Sequence, residues 1–454
     1  MLKPFKKLLL ISLFIALSAL STKSHARPKL WRATWWSDPA TTIAIAWYQP
    51  EKGSARLSYG ERQSENSKTT ENNYPYHLTV NTPEKGKTYW AQLSGLKPDT
   101  EYSFQVETSE GLSRELWFKT MPKEAQKLKI IAGGDSRNHR KIRKAANKTV
   151  AEIQPDFVLF GGDFTASDSK KQWIKWFEDW QLSIADHGRL IPLIPARGNH
   201  DSEKRLGRAW GRAHPRFYHG LSFAGNLLRV YTLNSERPAG GDQKAWLIND
   251  LEQHSSSILK FAHYHKPMRP HVRGKSEGQD EYLNWASLFA KYKVDLAIEC
   301  DSHLMKMTKP LWPSQDGQDG FEAVYRGTVY IGEGGWGAPL RSVNDTKSWT
   351  QFFGRINHFF FIEIEKNGIY RVSPIAISAV PKDAQTQQNE VLDIAPGVKL
   401  PIELQGLSTA TPLKVPQQDI NFILQKAQNG LEYGYSPLLL TPLNTVLKPS
   451  SESK

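Results

Sequence analysis

Five short stretches each end an apolar run on side chains that bind cations or move protons. They are Asp135 in AGGDSR, Asp163 in FGGDFT, Asn199 with His200 in RGNHD, His263 and His265 in FAHYHKP, and Asp301 with His303 in ECDSH. Carboxylate, amide and imidazole are the donors of hard and borderline metal ions. Singly, a GD pair is a turn and a His is a surface group. Five in order, each behind an apolar run, point to one site outside the carboxyl ends of neighbouring strands. Asp301 and His303 are separated by Ser302, so an extended segment puts both on one side, and His263 and His265 share a face for the same reason. His200 precedes Asp201. An imidazole that donates through one nitrogen while a carboxylate holds the other is suited to general acid work. Arg137 offers a fork of donors that fits a pair of phosphate oxygens and has no lone pair for a metal. Cys300 has no suggested histidine partner and reads as buried rather than nucleophilic.

Positioning such a set needs a sheet. LKIIAGGD, PDFVLFGGD and LIPLIPARGNHD are apolar strands running into their motifs, and SILKFAH and VDLAIE supply the later two. KQWIKWFEDWQ, KAWLINDLEQH and YLNWASLFAKY carry helical spacing, so strands and helices alternate and predict an α/β sheet covered by helices. The stripe of Trp173, Trp176, Phe177 and Trp180 is expected to pack on that sheet. Ahead of this region the pattern is all-β. TTIAIAWY, YPYHLTV and EYSFQVET alternate, and LSGLKPDTEYSFQV resembles the penultimate strands of a fibronectin type III sandwich. HFFFIEIEKNGIYRVSPIAIS predicts a hairpin turning at Asn367-Gly368. The expected organisation is a small sandwich over 27–121, an α/β domain over 122–378 and a peripheral extension over 379–454.

The order of the five motifs resembles the calcineurin-like metallophosphoesterase superfamily from about Leu128 to Ser378, and the sandwich in front, with GDQKAWLINDLE and GTVYIGEGGWGAPL following, looks most like its purple acid phosphatase branch. The resemblance implies two metal ions bridged by Asp163, the first held by Asp135 and His303, the second by Asn199 and the fourth-motif histidine. In the family that histidine stands two before a proline, which selects His265 before Pro267 and leaves His263 to orient a ligand or touch phosphate. His200 is then expected to contact phosphate and protonate the leaving group, with Asp201 fixing its orientation. Two departures stand out. Arg137 and Ala166 occupy places where family members keep an extra first-metal ligand, and Asp301 replaces an imidazole expected on the second metal. Asp301 remains a sound ligand for hard ions. Trp336 in the GEGGWG loop suits either an aromatic wall beside a leaving group or the core.

The expected function is hydrolysis of phosphate monoesters or diesters with two divalent or trivalent ions, Mn, Fe, Mg and Zn all being compatible. A nuclease is the alternative enzyme, and a catalytically degenerate phosphatase-like binding protein the alternative class. The chain has 454 residues, 39% of them hydrophobic, with 15 Trp, enough for more than one folded core. Lys3, Lys6 and Lys7 precede LLLISLFIALSAL and a polar STKSHA, which reads as a signal peptide over 1–26. The apolar run falls short of the roughly 20 residues of a spanning helix, so no stable membrane anchor is expected after cleavage. Cys300 stands alone, so an exported chain would carry no internal disulfide, which favours a bacterial periplasm. A net charge of +13 attracts anions. No continuous basic stripe interleaved with aromatics indicates a nucleic-acid partner. Arg197, Lys266, Arg269 and His271 are candidates for drawing in phosphate.

Overall fold

A computed structural model describes residues 28–63, 74–184, 186–211, 216–324, 327–377 and 438–439. The expected leader lies outside the described residues, as does the 379–454 extension apart from Leu438–Leu439, which pair in parallel with Tyr370–Ala376.

The first strands make a two-sheet module. Lys29–Thr34, Ile43–Tyr48 and Thr88–Leu93 form one sheet; Tyr76–Val80, Ala55–Glu61 and Glu101–Thr108, with two short strands, form the other. The period-2 pattern decides which side chains meet: Ile43, Ile45 and Trp47 are buried, as are Tyr102, Phe104 and Val106. Trp31 lies 5.8 Å from both Trp47 and Phe104, closing the sandwich with aromatic contacts. Arg32 fastens this module to the helical side of the larger domain. Its guanidinium donates to the Ala209 carbonyl at 2.6 Å and lies 3.9 Å over the Phe177 ring.

Two further sheets pack face to face. One runs Leu193–Pro195, Phe157–Phe160, Lys127–Gly133, His358–Glu365, Tyr370–Ala376, with the first three strands parallel and the last two forming the predicted hairpin. The other begins with His219–Phe223, Leu228–Thr232, Leu259–His263 and Leu296–Ile298 and continues through Val329–Gly332, Met305–Thr308 and Thr350–Gly354. Alternation again allots the faces. Ile130 and Leu159 join Val230, Phe261 and Leu296 between the sheets, while Ile131 and Val158 turn to the helix side with Ile142 and Trp176. Helices Arg140–Ile153 and Lys170–Trp180 cover one outer face; Gly241–Gln253 and the helical segments within Gln279–Tyr292 cover the other. The architecture is an α/β core of mixed sheets with flanking helices behind a small all-β module.

The aromatic stripe packs as expected. Trp176 is fully buried among Phe160, Phe164, Trp180 and Trp210, and its indole donates to Ser136 Oγ at 2.8 Å. Trp176→Ala leaves a large cavity and removes the donor to Ser136 Oγ, which keeps its own bond to the Phe164 carbonyl. It should cost about 3–5 kcal/mol. Urea unfolding of the two proteins checks this, and a loss below about 1 kcal/mol would mean that the site collapses around the missing ring.

Candidate metal centre

The five motifs meet at the strand ends of the two facing sheets. Asp135 follows the strand ending at Gly133, Asp163 the strand ending at Phe160, Asn199 and His200 the strand ending at Pro195. His265, Asp301 and His303 follow the strands of the facing sheet that end at His263 and Ile298. Asp135, Asp163, Asp301 and His303 all hold positive φ, between 56° and 72°. Non-glycine residues rarely do so, and such backbone strain concentrates where side chains must be aimed.

Glycines make the close approach possible. Cys300 is fully buried with its sulfur against Gly134 and Gly161, so a side chain at either would meet it. Gly198 and Gly334 likewise leave room for the Asp163 and Asp135 carboxylates. Burial pushes the Cys300 thiol up to about 12, so it is a packed neutral group and not a nucleophile.

Asp163 stands at the centre. Its Oδ1 lies 3.4 Å from His265 Nε2 and accepts from the His200 amide at 2.9 Å; its Oδ2 lies 3.3 Å from Arg137 Nη1. His265 Nε2 also lies 3.0 Å from Asn199 Oδ1 and 3.6 Å from Asp301 Oδ1. On the other side, Asp135 Oδ1 faces His303 Nε2 at 3.2 Å, and Asp135 Oδ2 accepts from the Asp301 amide at 2.8 Å. Two groups of ligand atoms result, Asp135–Asp163–His303 and Asp163–His265–Asp301, each within 4.8 Å and sharing Asp163. A third group within that distance, Asp135–His265–Cys300, overlaps both.

The donor set fits two cations. His265 Nδ1 donates to the Gly161 carbonyl at 2.8 Å and His303 Nδ1 to the Pro339 carbonyl at 2.9 Å, which leaves both Nε2 lone pairs pointing inward. Asp135 Oδ1 and His303 Nε2 are buried without a hydrogen-bond partner. Two acceptors facing each other in the interior are costly unless a cation lies between them. Burial opposes charge on His265, yet the Asp163 and Asp135 carboxylates hold it well above the usual imidazole range. A cation that displaces this proton takes over the same compensation. The chain therefore carries two carboxylate-rich clusters suited to a pair of metal ions.

Other anticipated residues fall differently. His263 lies away from this constellation: its Nε2 is 2.6 Å from Thr232 Oγ1, and burial with nearby His219 pulls its imidazole down to about 3. The alternation that put it on His265's face ends with the strand at His263, where the chain turns. Asp201 does not hold the His200 ring. Its carboxylate accepts from the amides of Asp163, Gly198 and Phe164, tying two motif loops together, and burial raises its pKa well above the usual range. The ring is held instead by Ala166, whose carbonyl lies 2.7 Å from Nδ1. Trp336 is core: fully buried against Phe160 and Phe359, its indole donates to Asn147 at 3.0 Å. The basic cluster is committed elsewhere. Arg197 donates to the Asp201 carbonyl, Lys266 pairs with Glu236, Arg269 donates to two carbonyls and His271 meets Thr350.

Lys275 joins the site without a sequence signal. Its ammonium lies 2.7 Å from Asp301 Oδ1, and burial of Asp301 is outweighed by His265 and this lysine, which keep the acid ionised. It lies in a loop, Pro267 to Gly278, with no periodicity to mark it. Behind the same loop, Lys306 bridges Glu299 at 2.7 Å and also pairs with Glu333, all three fully buried.

Comparison with known proteins places this geometry. Residues 28–120 match the family described as purple acid phosphatase, N-terminal domain, and residues 128–304 match calcineurin-like phosphoesterase. An uncharacterized protein of Mycobacterium tuberculosis is 24% identical over 313 residues, 56% of this chain and 59% of that protein. A protein of Arabidopsis thaliana named probable inactive purple acid phosphatase 1 is 24% identical over 335 residues, 60% and 53% of the two chains. The chain thus spans less than two thirds of the length of these relatives. Among solved structures, the purple acid phosphatase PPD1 from yellow lupin (Lupinus luteus) seeds superposes with a TM-score of 0.63 at 14% identity, covering 77% of this chain and 72% of its own. PhoD gives 0.58 at 11% identity, covering 89% and 98%.

Proposed function

We propose, from a chain that carries a calcineurin-like metallophosphoesterase domain related to the purple acid phosphatases behind a small β-rich domain, that the protein hydrolyses phosphate esters of small molecules with two metal ions. The observation that carries the proposal is the pair of clusters sharing Asp163. In this reading Asp135, Asp163 and His303 hold the first ion, and Asp163, Asn199, His265 and Asp301 the second. Such a pair supplies charge stabilisation for the attacking and leaving oxygens of an in-line displacement.

The chain's own residues then have separate tasks. Arg137 Nη1 lies 2.8 Å from His200 Nε2 as well as beside Asp163. Arginine only donates, so in this arrangement His200 Nε2 accepts and the ring proton sits on Nδ1, facing the Ala166 carbonyl. A phosphate group between them draws the guanidinium to its oxygens and releases Nε2. Once released, Nε2 takes up a proton from solvent and passes it to the leaving oxygen, while Nδ1–H stays on the Ala166 carbonyl. Asp201 holds the Asp163 and Gly198 backbone in place throughout.

Asp301→Asn keeps the shape and removes the charge. It should weaken the second ion and slow hydrolysis, while Asp301→His should restore turnover and shift preference toward Zn²⁺. Metal titrations and metal-dependent rates on the three proteins check this; identical values in all three would exclude Asp301 as a ligand.

A second reading has its own observation. Arg137 and Lys275 are fixed cations seated on Asp163 and Asp301, where they lessen the need for metal. The protein is then a phosphate-ligand binder on a phosphoesterase scaffold. Metal content of protein from its native compartment, with turnover of phosphomonoester and diester probes, separates the two: two bound ions with turnover support the hydrolase, and ligand binding without turnover supports the binder. No helix among the described residues is long and apolar enough to cross a membrane. Export to a periplasm is part of the proposal, supported by the lysine-rich start, its short apolar run and the single cysteine.

A further inference from the structure

We propose that a cavity of about 410 Å³ beside the metal centre is the subsite for the leaving alcohol of the phosphate ester, and that it selects an alcohol bearing a protonated amine, which pairs with the Glu281 carboxylate. The inference rests on the phosphoesterase reading above. The loop that runs from the Leu259–His263 strand to Gly278 carries both His265 and Lys275 and forms one wall of the cavity, and the 235–238 segment forms another. Lys266 on its wall directly follows His265, and its amide donates to the wall residue Ser235 at 2.9 Å. Ser276 directly follows Lys275, whose ammonium touches Asp301. The Glu236 carbonyl accepts from Arg197 at 3.3 Å, two residues before Asn199.

In a chain of net charge +13 this wall is acidic. Most of its charges are already matched. Glu236 pairs with Lys266 at 3.1 Å, Glu277 with Arg269 at 3.6 Å, and Arg237 with Glu203. Asp280 accepts from the Ala239 amide at 2.7 Å and from Asn284 at 2.8 Å. Glu281 is the exception. The residue is only 4% exposed, it lines the cavity, and the hydrogen-bond donor found for its carboxylate is its own backbone N–H. Its Oε2 packs over Gly278, 3.0 Å from where a Cβ would stand. Burial pushes this carboxyl up to about 7; its own backbone N–H and Lys266 offset this only in part, and Asp280 and Glu236 add to it. A buried carboxylate without a counter-charge is costly, and an incoming ammonium removes the cost. The cavity is within the size range of small-ligand sites, roughly 300–1,000 Å³.

The test compares phosphoethanolamine with 2-hydroxyethyl phosphate, its neutral counterpart, on metal-loaded protein. Wild type should favour the amino ester in kcat/KM by about tenfold or more, the size of a hydrogen bond to a charged group. Glu281→Gln should shrink that ratio to about twofold. Equal kcat/KM for the two esters in wild type overturns the subsite. Failure of the protein to turn over either ester overturns the hydrolase reading instead; calorimetric binding of the same two probes then decides the subsite, which stands if the amino probe binds tighter and Glu281→Gln removes the difference, and falls if the probes bind alike. Vesicles containing phosphatidylethanolamine, assayed beside the soluble ester, show whether the amine is carried by a lipid headgroup or by a free ester.

Discussion

Asp163→Ala is expected to remove bound metal and phosphate-ester hydrolysis together. Asp163 is the one residue common to the Asp135–His303 pair and the His265–Asp301 pair, so its loss strikes both groups at once. The carboxylate is fully buried, and its two oxygens face different neighbours, His265 on one side and Arg137 on the other. Without it, Arg137 loses its anionic partner, and Asp135, His303, His265 and Asp301, the four other ligands of the two groups, lose the residue that joins them. Removing a partner one layer out typically costs about 10- to 100-fold in metal affinity or activity, so the bridging position should cost more, beyond about 10³-fold. Elemental analysis of the purified variant and turnover of a phosphomonoester probe check this, with circular dichroism to verify folding. Retention of both ions in a folded variant would remove Asp163 from the centre of the scheme.

His200→Ala should behave differently, with metal retained and the chemical step slowed by about 10²- to 10⁴-fold. The ring stands beside the ligands without joining either group, part-exposed, its Nδ1 on the Ala166 carbonyl and its Nε2 against Arg137. The amide of residue 200, which donates to Asp163, survives the substitution. A substrate with a very good leaving group needs little protonation and should lose much less. Equal losses on good and poor leaving groups would argue that the ring only positions Arg137, and metal loss in this variant alone would make it a ligand.

The sandwich, the alternation of strand and helix, and the hairpin at Asn367-Gly368 are legible in the chain because each depends on local period. Ile43, Ile45 and Trp47 repeat every second residue and are buried on one face, and Trp173, Trp176, Phe177 and Trp180 fall on one side of a helix. The motif residues are equally visible, because a ligand placed just past an apolar strand is a one-dimensional signal. Alternation misleads at His263, since it predicts a shared face only while the strand lasts, and the Leu259–His263 strand ends there.

Partners across the fold are another matter. Nothing in the order of residues says that Ala166 holds His200 through its carbonyl, or that Asp201 gives its oxygens to three backbone amides. Backbone groups look alike in a sequence and acquire roles only when loops from different strands meet. The same holds for Trp336, pulled into the core because Phe160 and Phe359 leave a ring-sized space beside Asn147, and for Lys275, which reaches Asp301 across 26 positions. By itself the sequence determined which side chains could bind cations and the elements that end on them, since composition and period are local properties. Which of those side chains share a centre, which cations sit against them, and which acid is left buried without a partner were decided by the packing of two sheets and their loops, because electrostatic compensation depends on distance in space and not along the chain.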